Sequence, residues 1–327
     1  MNPPYSVIFL TTLIGMGQGL FLALIVEQLQ EQIQGISQNP LFFIVGGVIV
    51  LFLLVGGLIA SFFHLGHPER AWRAAAKWRT SWLSREVIAL PIFMAIVFIY
   101  TLLELMPHYN ITVSFGGLAY TLSLLLGFLG LLSMLLLFIC TSMIYACLRF
   151  LQQWHSPLTM INFILMGCAS GFTLAATLAA AKAVATNRQF CINLAAIAFG
   201  LTFLALIFRL LSLRRNKKLR PKSTVQSALG IKNPKITQTS SGAMAPSYNR
   251  HLFSHGKTVL FIRSIKWIFL TMGFGLPLLI LITQLNNTSF IIMLLALVVQ
   301  YVGLVAERWY FFADANHPQN IYYQVIA

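Results

Sequence analysis

Residues 41–106 read LFFIVGGVIVLFLLVGGLIASFFHLGHPERAWRAAAKWRTSWLSREVIALPIFMAIVFIYTLLELM. Two long apolar runs flank a 23-residue segment, 64–86, that is crowded with charge. About 20 apolar residues are what an α-helix needs to cross the hydrocarbon core of a bilayer. The stretch therefore predicts two neighbouring membrane spans joined at one membrane face. Read outward from here, the same pattern predicts an all-α integral membrane bundle of about eight spans, at 6–28, 41–63, 86–106, 116–147, 156–184, 189–212, 259–284 and 288–310. The chain is expected to form a single transmembrane domain, with 213–258 a basic, flexible cytoplasmic loop inside it.

Composition agrees. The 327 residues are 58% hydrophobic and only 9% charged, where a soluble domain carries roughly a quarter charged residues. Such a chain cannot cover its own surface in water. The formal charge of +15 sits mostly in loops between apolar runs, which reads as membrane topology and not as a nucleic-acid footprint. Met1–Tyr5 has no charged n-region or clear cleavage site, so the first run is expected to remain as a helix. Cys140, Cys147, Cys168 and Cys191 form no CxxC and fall in or beside apolar runs. They read as buried packing residues, not as a disulfide framework or cluster site. Gly167 and Gly171 have the GxxxG spacing that lets helices approach closely, here for packing within the bundle.

An even number of spans puts both termini on one side. That side also holds 64–85, 148–155 and 213–258. Every Lys and Arg except Lys182 and Arg188 lies there or at a helix end facing it, 20 of the 22. The positive-inside rule makes this side cytoplasmic, so the chain is expected in a bacterial inner membrane with both termini inside.

Segment 64–86 is richer than an interfacial anchor requires. Trp72, Trp78 and Trp82 suit the headgroup level, and Arg70, Arg73, Lys77, Arg79 and Arg85 suit the phosphates. His64, closing the second span, and Glu86, opening the third, are not explained that way. Ionisable groups at this depth are costly and mark functional sites. The short connection lets the two side chains meet, either as a structural hydrogen bond between helices or as proton-exchanging groups. Residues 306–323, with Glu307, Arg308, Asp314 and His317, form a second polar cluster on the same side. It is either another anchor or a second wall of the same site.

Other chemistries lack their residues. No His falls mid-span, as paired haem ligands require. There is no Walker A or HExxH motif. The acidic residues in or near spans (Glu27, Glu86, Glu104, Glu307) avoid the midplane. A transporter or permease, or a tether without a site, remains the alternative.

HLGHPERAW followed by WRTSWLSRE resembles the signature of the DmsC family, and NPPYSVIFLTT and ERWYFFADANHPQN are similar to its two ends. These are membrane anchor subunits of dimethyl sulfoxide reductase-type molybdopterin oxidoreductases. The resemblance implies eight helices, no cofactor in this chain, and exchangeable quinone or quinol as substrate. It implies an iron–sulfur electron-transfer subunit and a molybdopterin catalytic subunit as partners, beside membrane lipid and quinone. By the same resemblance His64 and Glu86 are implicated at the quinone site; Arg79, Arg85, Glu307 and Arg308, in the two polar clusters on the same side, are secondary candidates for binding the quinone. Arg85 stands where relatives often carry Asn. With the polar end inside, the chain resembles the anchors of cytoplasm-facing sulfite-oxidising complexes in the same family, in which quinone would be reduced.

Overall fold

The computed structural model describes residues 4–35, 39–63, 65–115, 118–181, 187–219, 225–233, 258–286 and 288–315. His64 and His317 lie outside the described residues, as do Lys182 and most of 220–257. Among the described residues, eight helices are long and apolar enough to span a membrane. They are α1 (Tyr5–Gln34), α2 (Pro40–Phe62), α3 (Trp82–Leu105), α4 (Leu122–Ala146), α5 (Pro157–Ala179), α6 (Arg188–Lys218), a seventh span running from Leu260 to Gln284, and α10 (Phe290–Ala313). A short helix, α7 (Val225–Leu229), follows α6. The seventh span is composite: α8 (Val259–Leu270), a π turn over Thr271–Gly275, and α9 (Leu276–Gln284).

Polar residues set the ends. The side chains of Asn39, Ser81, Thr121, Ser156 and Asn187 each accept a backbone N–H in the first turn of the helix that follows, satisfying donors with no partner inside it. Gly35, at φ 67°, ends α1 in a left-handed conformation that costs glycine little.

Several boundaries differ from the sequence reading: α1 runs on to Gln34, α5 ends at Ala179, and three others bear on the polar residues. The fourth span begins at Leu122, because 112–115 and 118–121 pair as a small antiparallel hairpin, β1 and β2. α6 runs on to Lys218, so 213–218 is helix and not loop. Its last turn carries Arg215, Lys217 and Lys218, where cations meet the negative end of the helix dipole. α3 starts four residues before Glu86, which places that carboxyl one turn inside the helix. Cys147 is also corrected: it is exposed at the end of α4, whereas the other three cysteines are buried.

α1 is the most buried span, with 78% of its apolar window covered. It packs against α2, α4, α5 and α10. Lipid tails are as apolar as leucine, so close backbone approach takes over much of the packing role. Gly15 and Gly19 of α1 meet Gly167 and Gly171 of α5, and a Cβ on Gly19 or Gly171 would overlap the opposite backbone. Phe21 of α1 packs edge-on against Phe93 and Tyr100 of α3, at ring-centroid distances of 5.3 and 5.5 Å. All three rings are buried, and they fall between Gln18 and Gln28 on α1 and between Glu86 and Glu104 on α3.

Candidate functional site

The near end of the bundle is the end where α1 and α3 begin and α10 finishes. The N-cap at Ser81 and the turn after it carry Glu86 into the interior, where it is 7% exposed. Thr141 of α4 donates its hydroxyl to Glu86 Oε1 at 2.6 Å. Glu86 lines a cavity shared by α1, α3, α4, α5 and α10, with Thr11, Gln18, Met166, Ser170 and Arg308 among the lining residues. Its volume is about 20 Å³, room for roughly one water. Thr11 and Ser170 spend their hydroxyl protons on their own helices' carbonyls, which leaves their lone pairs for the cavity.

Arg308, which lines the cavity from α10, is 4% exposed. Its guanidinium lies 3.7 Å over the Phe163 ring, and Nη2 contacts the Met166 thioether at 3.9 Å. A thioether is a weak acceptor, so much of this donor fork remains available. Behind it stands Glu307, whose Oε2 is 3.3 Å from Arg308 Nε and whose Oε1 is 2.9 Å from Arg209 Nε on α6. These contacts lie within ion-pair reach but off hydrogen-bond direction. Two guanidiniums, which keep their protons in proteins, thus share one carboxylate in the interior. Arg209 also faces the rings of Phe269 and Tyr310.

The structure brings Glu86 and Arg308 to one cavity, with Glu307 directly behind. It does not bring Arg79 or Arg85 there. Arg79 is exposed and stacks on Trp78. Arg85 donates to the carbonyls of Trp78 and Arg79 and stacks on Trp82 at 4.2 Å, clamping the loop onto α3. Sequence reasoning misses Thr141 and Arg209. Thr141 looks like any hydroxyl in an apolar run. Arg209 reads as a helix-end cation, but an arginine within a span that faces Glu307–Arg308 in another is itself a signal of pairing.

At the far end, Gln28 Nε2 donates to Glu104 Oε1 at 2.8 Å and to Ser123 Oγ at 2.9 Å. Ser123 also accepts from Asn110. Beside them lies a cavity of about 370 Å³, lined by Glu31, Glu104 and Asn110 among others. Glu27, 2% exposed, sits one residue before Gln28. Among the described residues, no group of three or more His, Cys, Asp or Glu is arranged to hold a metal.

Eight spans among the described residues define a multi-pass membrane protein, with a buried, charged cavity at one end. Residues 1–314 match the family of DMSO reductase anchor subunits, DmsC, and the chain belongs to that family. It is thereby the membrane anchor of an oxidoreductase complex. It is 46% identical, over the full length of both chains, to a sulfite dehydrogenase subunit of Allochromatium vinosum.

Proposed function

We propose that this chain exchanges electrons between the membrane quinone pool and an iron–sulfur subunit docked on its near end. The observation that carries this reading is the cavity lined by both Glu86 and Arg308. A quinone needs a proton carrier and a donor to its oxygens as two electrons arrive. Glu86, held by Thr141, is suited to the first role and Arg308 to the second. His64, two residues beyond the end of α2, is the proposed second proton carrier. A cavity of about 20 Å³ is smaller than a quinone ring, so binding parts the side chains around it.

The proposed docking surface is the 3₁₀ segment Pro68–Lys77 and the turn after it. Arg70, Arg73, Lys77, Arg79, Trp72 and Trp78 are exposed there. A cationic patch steers an acidic partner and fixes its register. The relative from Allochromatium vinosum is named as belonging to sulfite dehydrogenase. That name, together with the basic near end, supports a complex in which a cytoplasmic molybdopterin subunit oxidises sulfite and quinone is reduced here. Both termini then lie in the cytoplasm of a bacterial inner membrane. A C-terminal reporter active on only one side of the membrane tests the sidedness: cytoplasmic activity is expected, and periplasmic activity contradicts it. His64→Ala and Glu86→Gln test the site. Each is expected to stop quinone-linked electron transfer while the complex still assembles. Unchanged transfer leaves only a tether.

A further inference from the structure

The near-end cavity has a charge pattern that a neutral quinone alone does not require. Arg209, Glu307 and Arg308 are each at most 4% exposed and in ion-pair contact. Two guanidiniums against one carboxylate leave a surplus of one positive charge, and Arg308 presents it to the cavity. The only described carboxylate lining that cavity is Glu86. If Glu86 is ionised, the whole group is neutral when empty. If Glu86 is protonated, the group is neutral only with an anion bound.

Resting on the quinone reading, we infer that this cavity binds the ring preferentially as an oxyanion, the quinolate, and that Arg209 is the positioning residue that creates the preference. In the direction of quinone reduction, two electrons from the iron–sulfur partner and one proton convert the quinone to the quinolate monoanion. Its charged oxygen faces Arg308. A second proton, delivered through Glu86, gives the neutral quinol, which the surplus charge no longer holds. Arg209 touches no substrate. It acts by engaging Glu307, so that Glu307 does not fully neutralise Arg308. Without Arg209, the Glu307–Arg308 pair is neutral and the preference for an anion disappears.

The test compares two ligands of nearly equal shape on the intact complex in nanodiscs at neutral pH. One is 2-hydroxy-1,4-naphthoquinone, an acidic enol that is an anion under these conditions; the other is its neutral 2-methoxy ether. The wild type is expected to bind the hydroxy compound at least tenfold more tightly, a small part of the roughly 10³-fold that one unit charge at contact distance supplies at an effective dielectric constant of about 20, because binding also strips water from the anion. Arg209→Gln is expected to bring the affinity ratio towards one. Glu307→Gln, which enlarges the positive surplus, is expected to raise it. Opposite movement of one ratio is a signature that loosened packing does not produce, because packing damage weakens both ligands together. Equal wild-type affinities overturn the inference while leaving the quinone site standing, and this comparison needs no variant to fold. A ratio that moves the same way in both variants also overturns it. Failure of the complex to bind either compound overturns the quinone reading and this inference together.

Discussion

The two polar ends of the bundle are built from similar residues and organised differently. At the near end, Glu86 and Glu307 face two buried arginines around a cavity of about 20 Å³. At the far end, Glu104 is bound by the amide of Gln28 and borders a cavity of about 370 Å³, with no Lys or Arg among the described residues of its lining. Phe21, Phe93 and Tyr100 lie between them. The difference teaches that buried carboxylates alone do not mark the reactive end. In the proposed reading, opposite charges gathered around a cavity with room for about one water do, because electrostatic interactions are strongest where little water screens them. The far end holds its carboxylate with neutral donors beside a cavity large enough for many waters, where a change of charge is more easily screened.

The largest expected effect breaks the symmetry between the ends outright. Glu86→Gln is expected to lower quinone-linked turnover of the complex by about 10²-fold or more, the scale of a lost general acid–base group. Glu104→Gln is expected to leave turnover within about twofold. Steady-state assays in membranes check both, and equal losses would erase the distinction. Next comes Gly171→Leu. Its side chain has no room against the α1 backbone and forces apart the helices on which the near cavity is built. Overpacking costs about 1–3 kcal/mol in a core that can adjust, and a backbone contact adjusts little. A sharp drop in assembled complex, read by solubilisation and gel filtration, is expected. Glycine at the exposed end of α1 provides the control: Gly35 has no neighbour within 4 Å, so a side chain there strains only its left-handed backbone.

Gln28→Ala sharpens the comparison from the far side. It removes one buried and one part-buried hydrogen bond and leaves Glu104 without that donor. A loss of about 1–3 kcal/mol is expected, seen as a lower melting temperature with turnover unchanged. The smallest effect concerns water. Thr121→Cys, beside the larger cavity, is expected to react with a water-soluble maleimide added from the far side. Thr141→Cys, buried next to Glu86, is expected to stay unlabelled from either side. Equal labelling would mean that the near cavity is as wet as the far one.

Much of this contrast is legible in the sequence, for a physical reason. Span length is imposed by the bilayer, so the eight apolar runs translate directly into eight helices. Glu86 stands out because a carboxyl at a span edge is expensive without a purpose. The hairpin at 112–121 does not, because Val113, Phe115 and Leu118 continue the apolar run and only pairing ends it. GxxxG at Gly167–Gly171 is visible, but its partner at Gly15–Gly19 is not, since contact between helices distant in sequence is a tertiary fact. The same holds for Arg209. Nothing local separates an arginine at a helix end from one folded inward onto Glu307. Residue 64, the histidine that the sequence pairs with Glu86, lies outside the described residues, so its part in the site rests on the behaviour of His64→Ala.

The most direct measurement of the central claim is photo-crosslinking of an azidoquinone to the intact complex, with the labelled peptides mapped by mass spectrometry. Labelling is predicted on residues around the near cavity: Thr11–Gln18 of α1, Phe163–Ser170 of α5 and Leu304–Arg308 of α10. Labelling confined to Gln28, Glu104 and the 112–121 hairpin would place the quinone at the far end and contradict the account.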